Sequence, residues 1–177
     1  MPTNAKTKTK RATARKAKKA EPRSSRPKAT NAIELLKQDH REVEEMFEEY
    51  EDLREVGDEA TKKQLAQKIC AALKVHTHLE EQIFYPAARE ATSDNDLLDE
   101  AMVEHAGAKN LIAEIEVMDP ADDLYDAKVR VLGEQIRHHV EEEEEELFSE
   151  VEDSDMDVAE VGDRLTARKA ELTKEMA

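Results

Sequence analysis

The stretch Ile136–Phe148, IRHHVEEEEEELF, sets two adjacent histidines ahead of six consecutive glutamates. In an α-helix, side chains three or four residues apart lie on one face. His139 and Glu143 are four residues apart, and both are in phase with Ile136 and Leu147. The stretch is therefore predicted to be a helix with one histidine and one glutamate on its core-facing side, while the other five glutamates form a hydrated face.

The same helical period extends through most of the chain. Helices are predicted at about 31–56, 58–90, 96–118 and 121–151, and a shorter amphipathic helix at about 158–176. The composition suits helices, with 3% aromatic residues and four glycines. These features predict an all-α fold, an up-down-up-down four-helix bundle with a short C-terminal fifth helix. The predicted core-facing stripes of the four long helices are Ile33, Leu36, His40, Val43, Phe47 and Tyr50; Leu65, Ile69, Leu73, His76, Glu80 and Ile83; Leu98, Met102, His105, Ile112 and Ile115; and Tyr125, Val129, Leu132, Ile136, His139, Glu143 and Leu147.

Charge divides the chain into two unlike parts. Residues 1–30 carry eleven Lys or Arg and one acidic residue, a net charge of +10, whereas the remainder carries 16 basic and 42 acidic residues, a net charge of −26. A basic segment with so little apolar surface is predicted to be disordered. One hypothesis is that it binds nucleic acid nonspecifically by counterion release. The alternative is an arm that docks on the acidic body of its own or a neighbouring molecule.

Several classes of protein do not fit this sequence. The single cysteine, Cys70, has no internal disulfide partner and is predicted to be a buried helix residue. No apolar run reaches the roughly 18 residues of a membrane span, and no signal peptide is recognisable, so a soluble cytoplasmic protein with no membrane partner is expected. The sequence has no nucleophile arrangement, phosphate loop or dinucleotide fingerprint. Enzymatic activity is therefore not indicated, and a metal would have to carry any turnover.

Each long helix has one histidine in its core stripe: His40, His76, His105 and His139. One buried histidine is usually a hydrogen-bonded core residue. Four brought together would need polar partners, or would repel one another when protonated. A shared metal satisfies all four, because neutral imidazole binds iron, zinc or manganese.

Two glutamates strengthen the metal hypothesis. Glu80 follows His76 by four residues, and Glu143 follows His139 by four, so each pair shares a helix face. Four imidazoles and two carboxylates are too many ligands for one tetrahedral zinc and suit two metal ions with open positions.

The polar residues beside these candidate ligands are less well placed to bind metal. His78 and His138 are out of phase with the stripes, and His78 is predicted to be exposed. Glu81 and Glu144 each lie one step past a proposed ligand, off the core stripe, and are not predicted to bind metal.

Four segments are LLKQDHREVEEMFEEYEDL, HTHLEEQIFYP, MVEHAGAKNLI and HHVEEEEEELF. In their order and spacing, over about residues 31–152, they resemble the hemerythrin-like, or HHE cation-binding, domains. The resemblance implies a four-helix bundle holding a non-haem di-iron centre that is bridged by carboxylates and a solvent oxygen. It also implies a role in oxygen or redox sensing or in iron handling, with O₂, another diatomic or peroxide as the ligand; manganese and zinc are the alternative metals. The ligands it implies are His40, His76, Glu80, His105, His139 and Glu143.

One position departs from the oxygen-carrying members of that family. They have a second histidine on the third helix, four residues after the first, where this chain has Lys109. A protonated lysine is not a ligand, so it either extends to solvent or fills the space of the missing imidazole. The departure argues against reversible oxygen carriage and for a more open metal site.

The predicted organisation is thus a basic tail at 1–30, a metal-binding bundle at 31–152 and a C-terminal helix at 153–177. Two alternatives stay open. One is an iron-storage or DNA-associated stress protein whose tail binds nucleic acid, although ferritin-like sites use Glu-x-x-His pairs and here the histidine comes first. The other is a purely structural acidic bundle with satisfied core histidines.

Overall fold

The computed structural model describes residues 31–93 and 95–175. The predicted disorder of the tail at 1–30 lies outside the described residues. The helical elements, in chain order, are α1 Ala32–Val56, α2 Glu59–Leu79, the π-helix π1 Glu80–Phe84, α3 Tyr85–Ala91, α4 Asp96–Val117, α5 Tyr125–Glu142, the π-helix π2 Glu143–Leu147, α6 Phe148–Glu152 and α7 Val158–Glu175. The fold is therefore the predicted all-α bundle, with α7 as its fifth, C-terminal helix.

Side-chain caps explain where three of these helices begin. The Asn31 Oδ1 atom accepts hydrogen bonds from the backbone N–H groups of Ile33 and Glu34 at the start of α1. Asp58 caps α2 by accepting from the Thr61 N–H at 3.0 Å. Asp157 caps α7 in the same way. Each cap satisfies N–H groups that lack a partner inside the first helical turn.

The fourth long helix begins later than predicted, at Tyr125 rather than near residue 121. The side chain of Asp119 accepts from the Ala121 N–H at 3.0 Å, and Asp122 accepts from the Asp119 N–H at 3.0 Å. Such local side-chain bonds offer the backbone a turn in place of a helix. The segment that was predicted to open the helix therefore forms a turn.

Two long helical segments each contain one π-helical turn. In π1 the Tyr85 N–H bonds to the carbonyl of Glu80, and in π2 the Phe148 N–H bonds to the carbonyl of Glu143, five residues back in each case. A π-turn holds more residues than an α-turn, so the angular step between neighbours is smaller there. Both π-turns begin at a glutamate that was predicted to bind metal.

The bundle interior consists of two apolar clusters separated by a polar layer. One cluster joins Leu36, Leu79 and Phe148 with residues of α3 and α7, and the other joins Val43, Leu73 and residues of α4 and α5. The four stripe histidines fall between these clusters along the chain. The fold therefore places them at one level of the bundle, enclosed by hydrocarbon on both sides.

Three predictions about individual side chains have clear outcomes. Cys70 is buried as predicted, and burial raises the pKa of its thiol to about 11. Met102 is 42% exposed, so its predicted core position is wrong. His78 is half-buried because Arg168 of α7 lies over it, 3.4 Å from its Nε2 atom, and the expected exposure is also wrong.

Among the described helices, none is both long and apolar enough to cross a lipid bilayer.

Candidate metal centre

The six side chains proposed as ligands converge in the polar layer. All are buried; Glu80 is 0% exposed and Glu143 is 3% exposed. They fall into two groups whose candidate ligand atoms lie within 4.8 Å of one another. The groups are His40, His76, Glu80 and Glu143, and Glu80, His105 and His139. Glu80 belongs to both groups and lies between them.

The imidazole nitrogens point at one another in two pairs. The Nε2 atoms of His40 and His76 are 3.0 Å apart, and those of His105 and His139 are 3.2 Å apart. Glu80 reaches both pairs, with Oε1 3.1 Å from His76 Nε2 and Oε2 3.3 Å from His105 Nε2. Each imidazole pair therefore has a carboxylate oxygen beside it.

Glu143 connects the two imidazole pairs in a similar way. Its Oε2 atom lies 3.3 Å from His40 Nε2 and 3.8 Å from His139 Nε2. Despite these short distances, no hydrogen bond of acceptable geometry within the described chain reaches any carboxylate oxygen of Glu80 or Glu143. The nitrogens and oxygens thus face shared space rather than bonding to one another.

The outer nitrogens of three of the histidines each contact a carboxylate. The Nδ1 atom of His40 lies 2.8 Å from Glu144, that of His105 lies 3.0 Å from Glu81, and that of His139 lies 2.8 Å from Glu104. The fourth histidine, His76, also has a carboxylate on its outer side, but its Nδ1 atom is 3.8 Å from Asp39, which is too far for a hydrogen bond. An ionised carboxylate only accepts, so Nδ1 carries the proton in the three bonded pairs.

These four outer carboxylates form a ring around the bundle. Each is adjacent in sequence to a proposed ligand on its own helix and faces a histidine on the next helix. Asp39 of α1 faces α2, Glu81 of π1 faces α4, Glu104 of α4 faces α5, and Glu144 of π2 faces α1. Such partners fix the orientation of an imidazole and raise its basicity as a ligand.

With Nδ1 protonated in these three neutral imidazoles, their inward Nε2 atoms present lone pairs. Inward nitrogens 3.0 Å and 3.2 Å apart, beside two buried carboxylates, form an arrangement with many more acceptors than donors. Only added positive charge, from protons or from metal ions, makes such an arrangement stable. The donor set of imidazole nitrogens and carboxylate oxygens therefore fits transition metal ions.

The pKa values reflect this demand for positive charge. Burial would lower the pKa of His76, but the carboxylates of Glu80, Asp39 and Glu143 outweigh it and raise the value to about 10. The pKa of His139 is raised as well, because Glu104 and Glu143 outweigh its burial. Burial would raise the pKa of Glu80, yet the histidines around it hold that pKa well below its ordinary value.

The glutamate run is not uniform, and here the sequence prediction was partly wrong. Glu143 is buried as predicted, but Glu144, assigned to the hydrated face, is half-buried and bonded to His40. The prediction assumed a uniform α-helical step, whereas π2 turns less per residue and brings both glutamates inward. π1 has the same effect on Glu80 and Glu81.

Lys109, at the position of the missing fifth histidine, extends to the surface. Its ammonium group lies 2.5 Å and 2.6 Å from the two carboxylate oxygens of Glu81, and its side chain is 44% exposed. Of the two alternatives, the structure therefore shows the lysine directed towards solvent. The positive charge is neutralised by a carboxylate that also faces His105.

Aromatic rings and a cavity border the centre. Phe148 stacks on His40 with 5.9 Å between ring centroids, and the Tyr85 hydroxyl lies 3.3 Å from His105 Nε2. A cavity of about 260 Å³ between α1 and α5 reaches His40 and is lined by Phe47, Ile136 and other residues of the two helices. The side of the centre at His40 therefore has room for a small molecule.

The chain is similar to known proteins in its sequence and in its fold. The family model described as the hemerythrin HHE cation binding domain matches residues 31–151. A crystal structure of a hemerythrin HHE cation-binding domain-containing protein from Mycobacterium kansasii superposes with a TM-score of 0.70, covering 82% of this chain and 88% of that one at 20% identity. At that identity, the structural likeness concerns the fold alone.

A curated relative is a protein from Nostoc sp. (strain PCC 7120) named DNA nickase. It is 26% identical over 121 residues, which cover 68% of this chain and 33% of the relative. The chain thus spans about a third of the length of that relative.

Proposed function

Because this chain belongs to the hemerythrin HHE cation-binding domain family, we propose that its six buried side chains hold a pair of non-haem iron ions. The proposed function is oxygen or redox sensing, or iron handling, with O₂, another diatomic molecule or peroxide as the ligand. Manganese and zinc are the alternative metals. The proposed ligands are His40, His76, Glu80, His105, His139 and Glu143.

One observation carries the proposal. Four imidazole nitrogens and two fully buried carboxylates converge without a hydrogen bond of acceptable geometry to either carboxylate in the described chain. Unpaired buried carboxylates are costly, and the cost is offset when they coordinate metal ions. The position of Glu80 between the two ligand groups supports a pair of ions rather than one.

The remaining residues support a protected but accessible centre. Bound iron would supply one-electron redox chemistry and open coordination positions. Phe148 and the two apolar clusters limit the access of water to the centre, while the cavity beside His40 gives a small molecule room to approach. Lys109 leaves one side of His105 without the additional imidazole of the oxygen carriers, which favours redox response or iron handling over protected oxygen storage.

Metal analysis of purified variants tests the ligand assignment. The native protein is expected to hold two irons per chain, and His76→Ala and Glu80→Ala are each expected to lose stoichiometric iron. Glu145→Gln, which removes an exposed carboxylate of the same run, serves as the matched control and retains both ions. Retention of two irons by both ligand variants would defeat the assignment.

Absorption spectra separate oxygen carriage from redox response. The reduced protein exposed to O₂ is expected to be oxidised without forming a stable oxygenated spectrum. A peroxo-type band that disappears reversibly on deoxygenation would instead identify an oxygen carrier despite Lys109.

A second candidate function, nonspecific association with nucleic acid, is favoured by the basic tail and by the similarity to the Nostoc protein named DNA nickase. Replacing Lys8, Lys10, Arg11 and Arg15 by Gln in the full chain is expected to weaken binding to duplex DNA. Each lost phosphate contact should reduce the slope of log K against log salt by about 0.9. Fluorescence anisotropy across salt concentrations measures this, and an unchanged slope would count against the tail as the binding element.

A further inference from the structure

The segment HHVEEEE contains two interleaved His–Glu pairs, and the centre uses only one. His139 and Glu143 face inward, whereas His138 and Glu142, with the same spacing of four, lie on the outer side of the same helix. We propose that His138, Glu142 and Glu104 of the neighbouring α4 form a surface site for a divalent cation that supplies the buried centre. The supply role rests on the proposed function.

The three side chains are arranged as ligands of one ion. They offer ligand atoms that all lie within 4.8 Å of one another, and His138 Nε2 is 3.4 Å from Glu142 Oε1. His138 is 64% exposed and Glu142 is 34% exposed, so a hydrated ion can reach them from solvent. One imidazole with two carboxylates suits Fe²⁺, Mn²⁺, Co²⁺ or Zn²⁺ better than Mg²⁺ or Ca²⁺, which prefer oxygen ligands alone.

Glu104 connects this surface site to the centre. Its Oε2 atom bonds to Nδ1 of His139 at 2.8 Å, and its Oε1 atom is the second carboxylate oxygen that a surface ion could bind. An ion bound by His138 and Glu142 would therefore share the Glu104 carboxylate with His139, a proposed ligand of the centre.

A small cleft borders two of these three residues, Glu104 and Glu142. It is lined by Glu104 and Glu142 at its outer side and by His139 and Glu143 at its inner side, with Glu100 adding a further carboxylate. Both oxygens of Glu143 are buried and lack a hydrogen bond within the described chain, so an unpaired carboxylate faces the inner side. This partly buried negative lining concentrates cations and raises their rate of association.

The size of the cleft limits what can pass. Its volume is about 10 Å³, close to that of a single water-sized probe. A metal ion that exchanges its water for carboxylate oxygens at the surface fits this space, whereas an organic ligand does not. The surface residues are thus suited to remove the hydration shell before the ion moves inward.

Titration of the metal-free full chain with Co²⁺ tests the proposal. Equilibrium dialysis gives the number of ions bound, and the visible absorption of Co²⁺ follows filling of the buried centre with time. The native protein is expected to bind three ions, two tightly and one more weakly. The double variant His138→Ala, Glu142→Gln is expected to bind two and to fill the centre about tenfold more slowly. Glu145→Gln, which removes an equally acidic but exposed side chain, is expected to match the native protein.

The outcomes separate this inference from the proposed two-ion centre. A third ion that persists in the double variant, or a native protein that binds only two ions, would overturn the surface site. An unchanged rate of filling in the double variant would overturn its supply role. If the native protein binds a single ion that the double variant loses, the surface site stands and the buried two-ion centre fails. The variant His76→Ala, Glu80→Ala completes the design, since it is expected to lose the tight ions and to keep the weak one.

Discussion

At the scale of single residues, carboxylates outside the ligand set hold the imidazoles in place. Glu81 shows how one side chain serves two neighbours, because it contacts the Nδ1 atom of His105 at 3.0 Å and the ammonium group of Lys109. The first contact orients a proposed ligand, whereas the second lies at the surface. The two can therefore be separated by mutation.

Glu81→Ala is expected to lower the affinity for metal by about tenfold, because the imidazole of His105 loses its orienting carboxylate. Lys109→Met is expected to change the affinity by no more than about fivefold, since an exposed ion pair contributes about 1 kcal/mol or less. Competition with a chromophoric chelator measures both. Equal losses of metal affinity in the two variants would show that the exposed ion pair, rather than the bond to His105, determines the affinity.

At the scale of helices, close packing of α5 on α1 depends on a glycine. A Cβ atom added at Gly133 would lie 3.0 Å from Cδ1 of Phe47, whereas one added at Gly107 of α4 would meet nothing nearer than 3.9 Å. Both glycines lie inside helices, where alanine is preferred by about 1 kcal/mol. The two positions thus have the same helical propensity and differ in the space around them.

Gly133→Ala is expected to destabilise the protein by about 1 kcal/mol, because crowding against the buried Phe47 ring costs about 1–3 kcal/mol and exceeds the gain in propensity. Gly107→Ala is the matched control and is expected to stabilise the protein by up to about 1 kcal/mol. Urea denaturation gives both values. Stabilisation by both substitutions would mean that α1 and α5 can shift apart without cost.

The C-terminal helix α7 is connected to the centre by one ion pair. Lys169 of α7 bonds to Asp39, which is 6% exposed and faces Nδ1 of His76 at 3.8 Å. Burial would raise the pKa of Asp39, but His76 and Lys169 outweigh it and lower the value. Lys169 therefore compensates a buried charge that lies next to a proposed ligand.

Lys169→Met is expected to destabilise the protein by about 1–2 kcal/mol, less than for a fully buried pair because the lysine is partly exposed. It is also expected to lower metal affinity by about tenfold through the orientation of His76. Lys174→Met, at an exposed position of the same helix, is the control and should change neither quantity. Loss of stability with unchanged metal affinity would limit α7 to a packing role.

At the scale of the whole molecule, the helical period of the sequence predicted the four long helices. It also placed on their core-facing sides the six residues that converge in the polar layer. It did not identify Asp39, Glu104 or the inward position of Glu81 and Glu144, although each is adjacent to a proposed ligand in the sequence. These four carboxylates face a neighbouring helix, and which helix is the neighbour depends on packing. The two π-turns also change the phase of the helix at the point where a uniform period was assumed.

The same layer is expected to make the overall stability depend on metal. Metal-free protein keeps two carboxylates and four imidazoles in a buried layer that needs positive charge. Metal ions that bind the native state in preference to the unfolded chain are expected to stabilise it by mass action. With free metal about a hundredfold above its Kd, one site contributes about 2.7 kcal/mol. At about 2–4 °C for each kcal/mol, the melting temperature should rise by about 5–10 °C for each filled site.

Thermal denaturation with iron and with excess chelator measures this rise. The double variant His76→Ala, Glu80→Ala is the control and is expected to show a much smaller rise in melting temperature with metal, because it has lost both buried sites. Equal melting temperatures for native protein with and without metal, together with no metal uptake at neutral pH, would contradict a metal centre. The layer would then be a structural one, in which protons bound by the histidines compensate Glu80 and Glu143, consistent with the raised pKa values of His40, His76 and His139.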